Sequence, residues 1–288
     1  MKKMRVSFVL LLCFFCVLSG CTHQSSTNNK IKKVVAASRS IADMWLLAGG
    51  ELAGTTDDAM DLEGITNETK MIGTNTKLNL ETIAALEPDL VLLSGAIPTH
   101  KTVASTLSDM GMTCEAINVN NFDDYALKMK EFTEMTGRDD LYQSAVTDVK
   151  TRIDATLQKE LDTKAKTYLT IRISSSKTSA MTDEFFVCQM LNDFSLTNAS
   201  VSHNSHASLG LEAVLDLDPD YIFIVTQGDE TKSQQLYKNA YASQKAWQGL
   251  KAVKNNHVQI LPKDMFEYKP NAKWDKAYDY LYQILKNE

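Results

Sequence analysis

Leu80-Glu81-Thr82-Ile83-Ala84-Ala85-Leu86-Glu87-Pro88-Asp89-Leu90-Val91-Leu92-Leu93 is matched, 131 positions later, by Leu211-Glu212-Ala213-Val214-Leu215-Asp216-Leu217-Asp218-Pro219-Asp220-Tyr221-Ile222-Phe223-Ile224. In each copy a short apolar-faced helix carries Glu as its second residue. Pro-Asp then stops the helix, and an apolar run of strand length follows. Helix–Pro-Asp–strand at a constant offset predicts two copies of one α/β unit. At the near-equal offset of 133, Arg39 and Arg172 are each expected to end the first strand of their half.

Outward from the repeat, strands alternate with helices. Apolar runs at 34–37, 90–93 and 114–119 read as strands, and 41–52, 103–110 and 123–136 as helices. The pattern restarts with strands at 168–173, 221–226 and 258–261, and closes on an amphipathic helix over 272–285. Such alternation implies parallel sheets covered by helices. Between the halves, Leu141, Ala145, Val149, Ile153, Leu157 and Leu161 recur every four residues with no Gly or Pro. One stiff helix over 139–163, on the order of 34 Å long at 1.5 Å per residue, is expected to join them. The expected fold class is thus α/β: two Rossmann-like lobes, 34–138 and 164–288, with parallel sheets, joined by one long rigid α-helix.

The N-terminus reads as an export signal. Lys2, Lys3 and Arg5 precede an apolar run over 6–18, which is too short to span a bilayer. Leu18-Ser19-Gly20-Cys21 resembles a bacterial lipobox, making 1–20 a leader and Cys21 a lipidated first residue. A polar Ser/Asn-rich tether over 21–33 follows. The chain of 288 residues has 30 Lys+Arg against 36 Asp+Glu. Loss of the three leader cations takes the net charge from −6 to −9. An acidic chain has no bulk attraction to nucleic acid. Of five cysteines, only Cys114 and Cys188 are then left as thiols, and two buried free thiols are expected.

Ligands of open α/β sheets sit beyond the carboxyl ends of strands. The cleft candidates are therefore Arg39, Ser40, Ser94, Arg172, Ser174, Gln227 and Lys269, with Trp45, Phe266 and Tyr268 as aromatic faces. The guanidinium forks suit anionic or acceptor oxygens. No nucleophile elbow, Walker loop, dinucleotide fingerprint or zinc-protease helix is present, which argues against an enzyme and against a membrane-anchored hydrolase.

Together, the lipobox, tether, two lobes, connecting helix and repeated Leu-Glu…Pro-Asp motif resemble the substrate-binding lipoproteins of ABC importers. Within these, the chain is similar to the branch that binds iron–siderophore complexes, haem and vitamin B12. The resemblance implies an extracytoplasmic monomer, held on the cell membrane through lipidated Cys21. It carries no intrinsic cofactor, and its ligand is a metal chelate (ferric siderophore, haem or cobalamin). Its partners are the permease with its cytoplasmic ATPase, onto which Glu81 and Glu212 dock. Lys269-Pro270-Asn271-Ala272-Lys273 resembles the family's Pro-Gly-x-Arg segment, with Asn271 in place of Gly and Lys273 in place of Arg. The histidines read by default as solvated loop residues; a haem iron, the alternative, would draw on His203, His206 or Met265. Receptors for free zinc or manganese, the alternative, use several His and carboxylates, a pattern this chain does not show clearly.

Overall fold

A computed structural model describes residues 32–163, 165–200 and 209–286. The expectations for Cys21, His203 and His206 lie outside these residues. The first lobe runs β1 (Val34–Ala36), α1 (Arg39–Leu47), β2 (Gly54–Thr55), β3 (Lys70–Met71), a hairpin of β4 (Gly73–Thr74) and β5 (Lys77–Leu78), and α2 (Leu80–Ala85). It continues through β6 (Leu90–Ser94), α3 (Pro98–Asp109), β7 (Cys114–Ile117) and α4 (Phe122–Thr136). The linking segment comprises α5 (Asp140–Tyr142), a π turn over Gln143–Thr147 and α6 (Asp148–Leu157). The second lobe begins with β8 (Thr167–Ile173), β9 (Thr178–Ala180), α7 (Phe186–Asp193), β10 (Thr197–Asn198) and α8 (Leu211–Leu217). It ends with β11 (Tyr221–Thr226), α9 (Glu230–Tyr237), α10 (Lys251–Lys254), β12 (Val258–Ile260), α11 (Lys263–Phe266) and α12 (Trp274–Lys286).

The two main sheets have the order β3-β2-β1-β6-β7 and β10-β8-β11-β12. The parallel order β2-β1-β6-β7 is therefore repeated as β10-β8-β11-β12. The second lobe adds β9, antiparallel on β8.

The repeated motif has a physical cause. Glu87 and Asp218, 131 apart, both take a left-handed turn (φ 47° and 37°) that ends their helices before Pro-Asp. The carboxylate of Asp89 then accepts from the backbone N–H of Lys32 and Lys33 at 2.8 and 2.9 Å, at the start of β1. That of Asp220 accepts from the N–H and hydroxyl of Thr167 at 2.8 and 3.0 Å, at the start of β8. Each Pro-Asp thus sets a helix stop and pins the neighbouring strand in register, pairing Val34 with Leu90 and Tyr168 with Tyr221.

Strand residues alternate between two buried faces, as parallel sheets covered on both sides require. Val35, Ala37, Val91 and Leu93 face an outer core in the first lobe, and Ile222 and Ile224 face one in the second. The inner faces (Val34, Leu90, Leu92, Tyr221, Phe223, Val225) share a single core with α1, α4, α6, α7 and α12. Trp274, fully buried, meets Phe122 of the first lobe edge-on at 6.2 Å and Phe186 of the second at 5.7 Å.

The connector differs from the expected helix over 139–163. Its helical course covers 140–157, about 27 Å at 1.5 Å per residue. Spacing of four overshoots a 3.6-residue turn, and the wider i→i+5 turn at Gln143–Thr147 absorbs part of the drift, burying Ala145 and Val146 together. It is also no free strut. Val149 and Ile153 are buried, and Arg152 and Lys159 pair with Asp275 (2.5 Å) and Asp279 (3.2 Å) of α12.

Candidate functional site

A cavity of about 320 Å³ opens between the carboxyl ends of the two sheets. It gathers Arg39, Ser40, Ser94, Arg172, Gln227, Tyr268 and Lys269 from the sequence-derived candidates. Arg39 opens α1, immediately after Ser38, whereas Arg172 lies inside β8, which continues past it into the pairing with β9. The two arginines are therefore not matched ends of two strands.

Their surroundings differ as well. The Arg39 guanidinium is already engaged by the Asp58 carbonyl and by both carboxylate oxygens of Asp61, and it lies 5.3 Å from the Tyr268 ring. That bond holds the Asp61 carboxyl below its ordinary range. Arg172 stands over the Phe185 ring at 5.7 Å, and its buried Nε has no hydrogen-bond partner. Burial depresses its pKa, and the field of Glu267 only partly offsets this. Glu267 is itself occupied: its Oε1 accepts from Gly228 N–H at 3.0 Å, and Lys263 Nζ lies 3.4 Å from Oε2. Burial nonetheless raises its pKa.

Lys269 completes the basic corner. Its backbone N–H donates to Ser40 Oγ at 3.0 Å, and its Nζ lies 4.2 Å from the centre of the Phe186 ring. Solvent still reaches part of the side chain, but protein surrounds it from both lobes. Desolvation, reinforced by Arg172, pushes its pKa down to about 7.

The segment after it is locked across the lobes. Asn271 is fully buried with φ 51°, the left-handed region where glycine is the default. Asparagine tolerates that conformation. Its Nδ2 donates to Ser40 O at 2.9 Å and to Asp43 Oδ2 at 2.7 Å. The replacement of Gly at this position thus keeps the backbone and adds two bonds between the lobes.

Ser94 ends β6 on the opposite wall. Its N–H donates to Nδ1 of His100 at 2.9 Å, while Nε2 of the same ring meets Asn75 O at 2.7 Å. His100 is 2% exposed, so it is a wall-bracing residue and not a solvated loop histidine. Burial lowers its pKa. The ring accepts at Nδ1 and so carries its proton on Nε2.

Three expected cleft residues lie elsewhere. Trp45 points from α1 into the shared core, edge-on to Phe132, and its Nε1 donates to Glu51 O at 2.9 Å. The indole fills the space where a Cβ on Gly50 would sit, 2.2 Å from Nε1. Phe266 is fully buried against Tyr280. Ser174 serves the turn between β8 and β9, accepting from Lys177 N–H at 3.1 Å. Met265 is half-buried against the shared core and does not line the cavity. Cys114 and Cys188 are free, as expected, although Cys114 is only half-buried.

Phe185, Phe186 and Glu184, at the start of α7, line the cavity but were not among the expected residues. The signal was present: of two adjacent aromatics opening a helix, only one can face its buried stripe. Among the described residues, no His or Cys lines the cavity, and no group of three or more His, Cys, Asp or Glu could hold a metal ion.

Two α/β lobes of one topology, a shared inner core and a basic cleft at the strand ends define a ligand-binding receptor of the two-lobed class. The chain belongs to the periplasmic binding protein family, whose model matches residues 34–265. It is 26% identical over 249 residues to the putative ABC transporter substrate-binding lipoprotein YhfQ of Bacillus subtilis, covering 79% of this chain and 75% of that one. It is 23% identical over 240 residues to the Fe(3+)-citrate-binding protein YfmC of the same organism, covering 81% and 74%. The fold is shared with the triscatecholate siderophore binding protein FeuA of B. subtilis, solved with ferri-bacillibactin. That match has a TM-score of 0.74 at 19% identity, over 89% of this chain and 93% of that one.

Proposed function

We propose that this chain is the lipid-anchored, extracytoplasmic substrate-binding component of an ABC importer, and that its cargo is an anionic ferric chelate such as a siderophore complex or ferric citrate. One observation carries the choice of cargo. Arg172 and Lys269 line the same cavity, and among the described residues no carboxylate is in ion-pair contact with either, while the neighbouring Arg39 and Lys263 are both paired. Two such cations in a partly desolvated site are matched by a ligand that brings its own oxyanions. An iron already enclosed by its chelator needs no protein ligand, which accords with a cavity without His or Cys among the described residues. Cobalamin ranks behind it because it presents few oxyanions to this corner, and haem, which brings only its two propionates, would draw on Met44 or Tyr268 of the lining. The chain performs no covalent step; it captures and hands over.

Glu81 and Glu212 are the proposed permease contacts. Both are exposed in the first turn of equivalent helices, α2 and α8. The deciding measurement is a titration of the purified protein with ferric tricatecholate, ferric citrate, ferric trihydroxamate, haem and cobalamin. It is followed by tryptophan quenching and visible absorption. Saturable binding of the anionic ferric complexes is expected. A Soret band with no response to them would overturn the choice of cargo, and no response to any chelate would overturn the receptor assignment.

A further inference from the structure

We propose that Lys269 makes the cleft selective for anionic chelates, and that each chelate is captured together with one proton, which Lys269 takes from solvent. The inference rests on the chelate-receptor reading and adds to it a specificity residue and a linked proton.

The geometry isolates Lys269. From α7 the Phe186 ring covers its ammonium, and from β8 it faces the like charge of Arg172. From α1, Ser40 holds its backbone, and the Arg39 guanidinium in the same cavity is paired with Asp61. Asp124 of α4 is the one carboxylate whose field favours its charged form, and it makes no ion pair with Lys269. Glu184 lines the same cavity without pairing with it. Glu267, two residues earlier, is committed to Gly228 and Lys263, and the Tyr268 phenol is held neutral by burial. The bond to Ser40 and the buried left-handed Asn271 fix the backbone on both sides of Pro270, which holds the Lys269 side chain at the mouth of the cleft.

In the empty cleft, desolvation and Arg172 therefore hold its pKa at about 7. An oxyanion seated between Arg172 and Lys269 reverses the balance, since an opposite charge within contact favours the ammonium. Above neutrality the free amine is largely unprotonated, so seating the anion draws in a proton. Below neutrality the ammonium is already present and nothing is taken up. An uncharged chelate supplies no such field and is refused.

The test uses ferric tricatecholate, a trianion, and ferric trihydroxamate, which is uncharged. Binding is followed by tryptophan quenching, and proton uptake by an indicator dye in weak buffer. For the wild type with the trianion, uptake should approach one proton per chelate at pH 8.5 and vanish at pH 5.5. Affinity should fall about eightfold from pH 7.5 to 8.5, the change set by the protonated fraction of a group titrating near 7. Lys269→Arg, charged throughout, should lose both the uptake and the slope; Lys269→Met should lose the preference for the trianion. Tight binding of the trianion with no proton uptake at pH 8.5, or an unaltered slope in Lys269→Arg, overturns the proposal and leaves the receptor reading intact. Equal binding of the uncharged chelate also overturns it. Failure of every chelate at every pH removes the receptor reading and the proposal together.

Discussion

Replacement of Asn271 probes how the two lobes are held. In Asn271→Gly the left-handed φ of 51° is retained without strain, but the Nδ2 bonds to Ser40 and Asp43 are lost. The neutral bond is worth about 1 kcal/mol and the one to a carboxylate about 1.5–3 kcal/mol. Glycine also frees the unfolded chain, at a cost of about 0.5–1 kcal/mol. Against this, Oδ1 of Asn271 is buried without a partner, and removing it returns about 1 kcal/mol. The net expectation is a loss of about 2–4 kcal/mol. Asn271→Ala loses the same bonds and forces a Cβ into the left-handed region at about 1–2 kcal/mol. After the entropy that alanine saves, it should lie about 0.5–1 kcal/mol below the glycine variant. Urea unfolding at pH 7 measures both. Because one core spans both lobes, each variant should unfold in a single transition with an unchanged slope against denaturant. A glycine variant as stable as the wild type would show that the bonds between the lobes contribute nothing. An alanine variant more stable than glycine would refute the constraint on φ.

Three further outcomes are expected. The shared core and the Trp274 contacts to both lobes oppose a wide hinge, so scattering radii with and without ferric tricatecholate should agree closely, and a large compaction would refute that rigidity. Glu81→Ala combined with Glu212→Ala should abolish uptake in cells while leaving chelate affinity unchanged; normal uptake would remove the docking assignment. His100 is buried with a pKa below its ordinary 6.5, so the folded state binds fewer protons than the unfolded one. Its contribution is full above pH 6.5 and is lost as pH falls toward the folded value. Relative to His100→Gln, which can bridge Ser94 and Asn75 without titrating, the wild type should lose stability as pH falls below 6.5; parallel pH profiles would contradict this.

What could be read from the sequence was what local chemistry decides. Pro88-Asp89 and Pro219-Asp220 announce a helix stop and a strand start, and their carboxylates do pin the adjoining strands. Period and breakers therefore yielded the α/β lobes and most of their elements. Position after a strand, by contrast, does not tell which way a side chain points. Trp45 and Phe266 turned inward because large apolar surface gains more from the shared core than from a wet cleft. The regular four-residue spacing of the connector concealed the π turn, since spacing alone does not say how the helix absorbs its drift. Nor could a linear motif show that Asp61, 22 residues away, already occupies Arg39.

The repeat also accounts for the form of the site. Duplication gives two sheets of one order, and the shared core sets the carboxyl ends of both around one cavity. Equal frames would supply equal walls, yet the charges are unequal. The first lobe's arginine is neutralised by its own loop through Asp61, while the second lobe's arginine keeps an unpartnered Nε. Lys269 is contributed by the segment leading into α12, outside the duplicated helix–Pro-Asp–strand motif, and is carried to the cleft by the bonds of Ser40 with Lys269 and Asn271. The duplicated frame thus places the cleft, and the unduplicated segment places the charge that decides what enters it. If so, exchange of Lys269 should change the class of ligand bound without altering the fold, whereas loss of Asp89 or Asp220 should unsettle strand register in its own lobe and leave the charge preference of any surviving binding unaltered.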